Sequence, residues 1–463
     1  MSDTVIIAGG GPVGLMLACE LGLAGVDTVV LERHDAPREP SRGGAINATV
    51  VELFTQRGIM ESLRDDGFEF RMAHFAHIPL APERVPGDRA FSFAVPHAQV
   101  ERRLEERARS LGVRVRRSTE ITSVRQTPDG VQVTTGDGEV VEGAYLVGCD
   151  GSASLVREQA GIPFPGVDPD FHGLWGDIKV EPGAPVLERI GARQYELGLC
   201  MVAPIGPDTV RVITGEFDVP SPPADQEVGF DELRAAVARI AGVELDGVPG
   251  WLSRWTATSR QAERYREGRI LLAGDAAHTL FPLGGQALGT GIEDAVNLGW
   301  KLAATVQGWA PPSLLDSYHE ERHAAGARAC ASTRAQTTIM RSLARVGELR
   351  ALLTELAGLE EVNAYLVRMV GGIDGSRLPD VPLVTAEGET SVYRLLEAGR
   401  GVLLDLGAGL PAVRHPQVTY VRAEPTNRLD ATAVLLRPDG VVAWRAPQDG
   451  LEAALETWFG PAA

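Results

Sequence analysis

Val5-Ile6-Ile7-Ala8-Gly9-Gly10-Gly11-Pro12-Val13-Gly14 is the stretch on which the fold turns. A short β-branched apolar run ends in a glycine cluster, an apolar helical pattern follows from Pro12 to Ala24, and a second strand pattern covers Thr28 to Glu32. Together they read as a βαβ unit. Gly9, Gly11 and Gly14 fit the spacing GxGxxG in its proper setting, after a strand and into a helix. Gly9 allows the tight turn, Gly11 lets the backbone approach a pyrophosphate, and Gly14 permits close helix packing. Pro12 and Val13 open the helix whose N-terminus faces the phosphate charge. Glu32, at the end of the second strand and followed by Arg33, is placed to accept from ribose hydroxyls. The fingerprint by itself does not separate NAD from FAD.

Bulk properties set the frame around that unit. A chain of 463 residues suggests two or three domains and can enclose a buried cofactor. Lys and Arg total 44 against 62 Asp and Glu, a net charge of −18, which argues against a nucleic-acid partner. No stretch approaches the roughly 20 uninterrupted apolar residues that span a bilayer. Met1-Ser2-Asp3-Thr4 lacks a basic leader, so the expected location is the cytoplasm. Cys19, Cys149, Cys200 and Cys330 are far apart, with no CxxC pair and no zinc-like spacing, so reduced, mostly buried thiols and no metal site are expected.

Further along, Val113 to Arg116, Ile121 to Gln126, Val131 to Thr135 and Val140 to Glu142 read as a small run of strands. Residues from Phe171 to about Trp255 alternate strand-like segments with Pro/Gly-rich loops, as in a sheet inserted into the nucleotide-binding domain. Ile270 to Gly274 reads as a buried strand and Gly291 to Gln307 as a helix; Leu315 to Gln336 and Ile339 to Met369 read as two long helices. The pattern dissolves around Gly371 to Pro382. After it come strands at Gly401 to Leu406, Val418 to Val421, Thr432 to Arg437 and Val441 to Arg445, a small α/β domain.

Two further segments carry a resemblance. Tyr145-Leu-Val-Gly-Cys-Asp150-Gly151-Ser-Ala-Ser154-Leu-Val-Arg157 and Gly268-Arg-Ile-Leu-Leu-Ala-Gly274-Asp275-Ala-Ala-His278-Thr-Leu-Phe281-Pro282-Leu-Gly284-Gly285-Gln286 resemble the DG and GD motifs of flavoprotein hydroxylases of the p-hydroxybenzoate hydroxylase fold. The whole chain is similar to the hydroxylases of aromatic polyketide biosynthesis, the angucycline and anthracycline type, and nearly as similar to rifampicin monooxygenases. The resemblance implies an α/β fold: a Rossmann-like FAD-binding domain (1–170 and 256–370), an inserted β-sheet substrate domain (171–255) and a C-terminal thioredoxin-like domain without CxxC (380–463). It implies FAD as the bound cofactor, held by Gly9, Gly11, Pro12, Val13, Gly14, Glu32, Arg33, Arg42, His97, Asp150, Gly274, Asp275, Pro282, Gly285, Gln286, Ala287 and Leu288. Asp275 would hold the ribityl chain, Asp150 would lie near the phosphates, and Arg42, Pro282 and Gly285 would lie beside the flavin. NAD(P)H would bind transiently and O2 would be activated as a C4a-hydroperoxyflavin.

The activity so implied is hydroxylation of a polycyclic, polyketide-type phenol, with no dedicated catalytic base nominated. Trp175, Tyr195, Met201, Arg211 and Phe281, with Phe171, are the candidate substrate wall; His278 reads as structural. Baeyer–Villiger or rifamycin-type oxidation, and an FAD-binding protein that has lost hydroxylation, are the alternatives; a homodimer is left open. Three departures from the family pattern stand out. His97 replaces a glutamine, Phe281 replaces the first of two prolines, and GGQGxN becomes Gly284-Gly285-Gln286-Ala287-Leu288-Gly289. Contacts through backbone amides should survive these changes, whereas a side-chain contact from the missing asparagine should be lost.

Overall fold

The strands Val5–Ala8, Thr28–Leu31, Tyr145–Gly148 and Ile270–Leu272 lie parallel in one six-stranded sheet of the computed structural model, which describes residues 3–461 apart from 40, 42, 86–90, 168–170, 220–225, 411–413 and 428. From one edge the order is Arg266–Glu267, Ile270–Leu272, Tyr145–Gly148, Val5–Ala8, Thr28–Leu31 and Arg114–Arg116. The inner strands are short and buried on both faces, which is why they read as unbroken apolar runs rather than alternating ones. The helix Pro12–Leu23 packs against the long helix Gln286–Val306, where Gly299 sits directly on Glu20.

The sequence grouped 113–116 with the three strands after it, but Arg114–Arg116 joins the central sheet beside Thr28–Leu31. Ile121–Gln126, Val131–Thr135 and Val140–Gly143 form an antiparallel sheet of their own. Periodicity locates a strand but does not choose its partner.

A five-stranded antiparallel sheet covers the middle of the chain, in the order Gly191–Gln194, Gly198–Pro204, Thr209–Glu216, His172–Lys179 and Val248–Thr256. One face, carrying Leu174, Ile178, Cys200, Val202, Val210 and Val212, is covered by the helix Phe230–Ala241 through Leu233, Ala236, Val237 and Ile240. Strand alternation turns Trp175, Asp177, Met201, Arg211 and Ile213 to the other face.

The helix Gln286–Val306 begins five positions before the expected Gly291 and includes three glycines. The expected single helix from Ile339 to Met369 is two, Leu343–Ala357 and Glu360–Gly371, because the backbone turns extended at Leu359 (φ −75°, ψ 132°). Beyond them a six-stranded sheet runs Gly388–Ser391, Pro382–Thr385, Val418–Pro425, Gly401–Asp405, Ala433–Leu436 and Val442–Arg445, with the helix Leu451–Phe459 against it. The sequence reading missed its first hairpin, whose strands start at Pro382 and Gly388 inside and just after the apparent linker.

Candidate flavin site

Three motif segments leave neighbouring strands of the central sheet at the same edge: Gly9 after Ala8, Cys149 after Gly148, and Ala273 after Leu272. The carboxyl edge of a parallel sheet is where such folds bind nucleotides. Gly9 takes φ +102°, and a side chain there would run into the Cys149 carbonyl and Asp150 backbone. Val13 joins the segments at their base: a Cβ at Gly274 would lie 3.1 Å from its methyl groups and one at Gly291 only 2.7 Å away.

The helix Pro12–Leu23 starts on Gly11 with no side-chain cap and no acidic residue in its first turn, and nothing lies within 4 Å of where a Gly11 side chain would point. Uncapped amides facing open space at a helix N-terminus suit a diphosphate. Glu32 accepts the Gly10 amide at 2.7 Å and the His34 amide at 2.8 Å, which anchors its carboxylate at the tip of the strand with lone pairs to spare. Arg33 next to it is exposed, its Nε 3.3 Å from His34 Nε2.

Asp275 is reachable by solvent, and its carboxylate accepts no hydrogen bond from the described residues. Protein packed around it still raises its carboxyl above the usual range, with the charge of His278 opposing. A carboxylate so placed fits hydroxyl donors such as those of a ribityl chain. Asp150 is differently engaged: its two oxygens take the Ser154 hydroxyl at 2.5 Å and the Val156 amide at 3.1 Å, so its carboxylate organises the helix Leu155–Gln159. Burial raises it too, against those hydrogen bonds.

His97 begins the helix His97–Ser110, packs on Gly43 and shares a 2.9 Å hydrogen bond with the Ala45 carbonyl through Nε2. Burial lowers its pKa, the Ala45 bond opposes, and the charge of Arg211 on the inserted sheet lowers it further. The His97 ring therefore packs on the Gly43–Ala45 segment in surroundings that disfavour its cation. Arg42 falls outside the described residues. Pro282 and Gly284 are exposed; Gly284 and Gly285 both take positive φ (60° and 72°), a tight loop that only glycine adopts freely and that delivers the chain into the uncapped start of Gln286–Val306. Gln286 is buried, its Nε2 3.4 Å from the Leu283 carbonyl, whereas Ala287 and Leu288 are half-buried.

Of the candidate wall residues, Trp175, Met201 and Arg211 share the sheet face that lacks the helix. Arg211 is clamped by Asp177 at 2.7 and 2.8 Å. Phe281 lies on the loop but reaches the same face, its ring 4.9 Å from that of Trp255. Tyr195 instead packs with the apolar cluster on the helix-covered side, and Phe171 is fully buried among Phe217, Trp255 and Phe281.

Sequence reasoning passed over the pieces that hold the loops together. Asp294 accepts from Arg322 at 2.7 Å and from the Gly274 amide at 3.1 Å, and contacts His278 Nε2 at 2.6 Å, with the carboxylate and the imidazole both fully buried. Burial works against the charge, but His278 and Arg322 keep the Asp294 carboxyl below the usual range. His278 is structural in this arrangement. Arg157 lies 3.7 Å over the Phe164 ring and donates to the Ser152 and Ala276 carbonyls, tying the DG segment to the GD segment. An aspartate on the apolar face of a helix was the available signal; its partners, 16 to 28 residues away, were not. Among the described residues no cluster of His, Cys, Asp and Glu suits a metal ion, and no helix is long and apolar enough to cross a membrane.

Comparison with known proteins shows the family. Residues 2–333 match the FAD binding domain family and residues 372–462 the C-terminal domain of aromatic-ring hydroxylases. The chain is 41% identical to a 12-dehydrotetracycline 5-monooxygenase/anhydrotetracycline 6-monooxygenase of Streptomyces rimosus, over 100% of both chains. It is 38% identical to a rifampicin monooxygenase of Streptomyces venezuelae over 99% of both. Among solved structures, OxyS anhydrotetracycline hydroxylase from Streptomyces rimosus superposes with a TM-score of 0.91 at 40% identity, covering 99% of each chain.

Proposed function

Since the chain belongs to the FAD binding domain family of flavoprotein monooxygenases, we propose that it hydroxylates a polycyclic, polyketide-type phenol with NAD(P)H and O2, in the cytoplasm. The observation that carries the reading is the meeting of Phe281, on the cofactor loop, with Trp255 on the open face of the inserted sheet. It brings an apolar, aromatic surface to the place where the flavin ring would sit.

Bound FAD supplies the redox and oxygen chemistry that no side chain of this protein can. The amides of Gly11 to Gly14 would hold its diphosphate, Glu32 its ribose and Asp275 its ribityl chain, while the backbone from Pro282 to Leu288 would border the ring. Trp175, Met201 and Phe281 would pack on the substrate's aromatic faces and exclude water. Arg211, its guanidinium oriented by Asp177, would favour a phenolate by charge. Burial raises Cys19 to about 12 and Cys200 to about 11, so neither thiol competes as a nucleophile.

The test is NAD(P)H oxidation by the yellow holoprotein with and without anhydrotetracycline and related polyketide phenols, using isotopically labelled O2. The expected result is substrate-stimulated oxidation with one labelled oxygen in an intact product ring. A ring-opened or ring-expanded product would replace hydroxylation with Baeyer–Villiger chemistry. Protein that retains no flavin would remove the reading altogether.

A further inference from the structure

Gly285, Gly289 and Gly372 close around one side chain, that of Asn47. A Cβ at Gly289 would stand 2.6 Å from Asn47 Nδ2, and one at Gly285 would stand 3.5 Å from Asn47 Cβ. Asn47 is 4% exposed and caps the helix Ala48–Gln56, its Oδ1 accepting the Val50 amide at 3.2 Å. That bond settles which amide atom is oxygen, because only oxygen can accept, and so turns the NH2 group onto Gly289. The NH2 donates to none of the described residues. Beside it the helix Gln286–Val306 starts without a side-chain cap, leaving its first amides as donors in the same place.

In the family pattern GGQGxN, which residues 284–289 resemble, an asparagine stands at the position of Gly289. Here that space is filled from a different part of the chain. We propose that Asn47 has taken over the side-chain donor that position 289 has lost: with the amides of Gln286 to Leu288, its NH2 grips an acceptor-bearing edge of the isoalloxazine ring. The inference rests on the FAD reading above. Asn47 and Gly289 then form an exchanged pair, and an asparagine fits at one of the two positions but not at both.

The test is a double-mutant cycle read by FAD affinity, from flavin fluorescence quenching on apoprotein, and by the melting temperature of the apoprotein. Asn47→Ser keeps a good helix cap and deletes the NH2 group; it should raise the FAD Kd by about tenfold, the worth of one ligand hydrogen bond, with the apoprotein's melting temperature unchanged. Asn47→Asp, which keeps shape and cap but cannot donate, should do the same and serves if the serine variant does not fold. Gly289→Asn alone should push Asn47 out of its cap and lower both affinity and melting temperature. In the Asn47→Ser background the new asparagine has room and should bring the Kd back toward the wild-type value. Wild-type affinity in both Asn47 variants, or an equal penalty for Gly289→Asn in both backgrounds, would overturn the assignment. Wild-type protein that binds no FAD would instead sink the cofactor reading on which it rests.

Discussion

Single side chains in this protein are set by what surrounds them more than by their type. Asp275 and Asp150 are both motif aspartates, yet one offers an unpaired carboxylate and the other spends both oxygens on a helix start. Asp275→Ala should therefore weaken FAD binding by about 10- to 100-fold, the worth of one or two charge-assisted hydrogen bonds, in a titration of apoprotein; an unchanged Kd would misplace the ribityl contact. Asp150→Ala should act mainly on stability. His77 gives a pH prediction. Its ring stacks on His74 at 4.9 Å at the tip of a hairpin, and burial, then the charges of His74 and Arg350, push it down to about 3. Between the unfolded value near 6.5 and about 3, the unfolded chain holds a proton that the folded chain refuses. Stability is whole above that window and declines as pH falls through it, by up to about 1.4 kcal/mol per pH unit from this group. His77→Asn, which tolerates the local φ of 61°, should flatten the dependence of the urea midpoint on pH between 6.5 and 4; parallel curves would exonerate His77.

At the scale of elements, the site depends on how closely the helices Pro12–Leu23 and Gln286–Val306 approach. Gly299 makes that approach possible, since any side chain there would meet the Cβ of Glu20, whose carboxylate is held by Arg57 at 2.7 and 2.9 Å. Gly299→Val should cost about 1–3 kcal/mol as overpacking, and more if the Glu20–Arg57 pair is broken, measured by urea denaturation. A neutral result would mean the helices can separate freely. Apolar periodicity made Pro12–Leu23 and Gln286–Val306 legible as helices but not their ends, and Ala48–Gln56, His97–Ser110 and Phe230–Ala241 went unread. The start of Gln286–Val306 looked like loop because its glycines are there for packing against Val13 and Asn47, not to break the helix. Strand pairing was equally silent, as Arg114–Arg116 illustrates: its partner, Thr28–Leu31, lies more than eighty positions earlier.

At the scale of the whole molecule, the C-terminal domain is bolted to the FAD domain by buried charge. Arg437 bridges Glu321 at 2.7 and 2.9 Å and Asp439 at 2.5 and 3.1 Å, and sits 4.3 Å over the Trp458 ring. Arg57 reaches across to the Leu396 and Pro438 carbonyls. Arg437→Ala leaves two carboxylates without their main partner beside Lys301, whose pKa burial has lowered to about 8. It should cost about 3–5 kcal/mol in chemical denaturation. A loss below about 1 kcal/mol would mean that the interface is held by its apolar contacts alone.

The sequence by itself determined the fold class and the order of the motifs, and through those motifs the resemblance that implied FAD, because the glycine spacing, the turn into a helix and the aspartates that follow a buried strand are demands of local backbone geometry on neighbouring residues. Only the tertiary structure decided which groups complete the site. Asn47 against Gly289, Asp294 between His278 and Arg322, Tyr195 turned to the far side of its sheet and Arg437 beneath Glu321 are pairings across long stretches of chain. They exist because packing brings distant elements together, and no local pattern in the sequence encodes that distance.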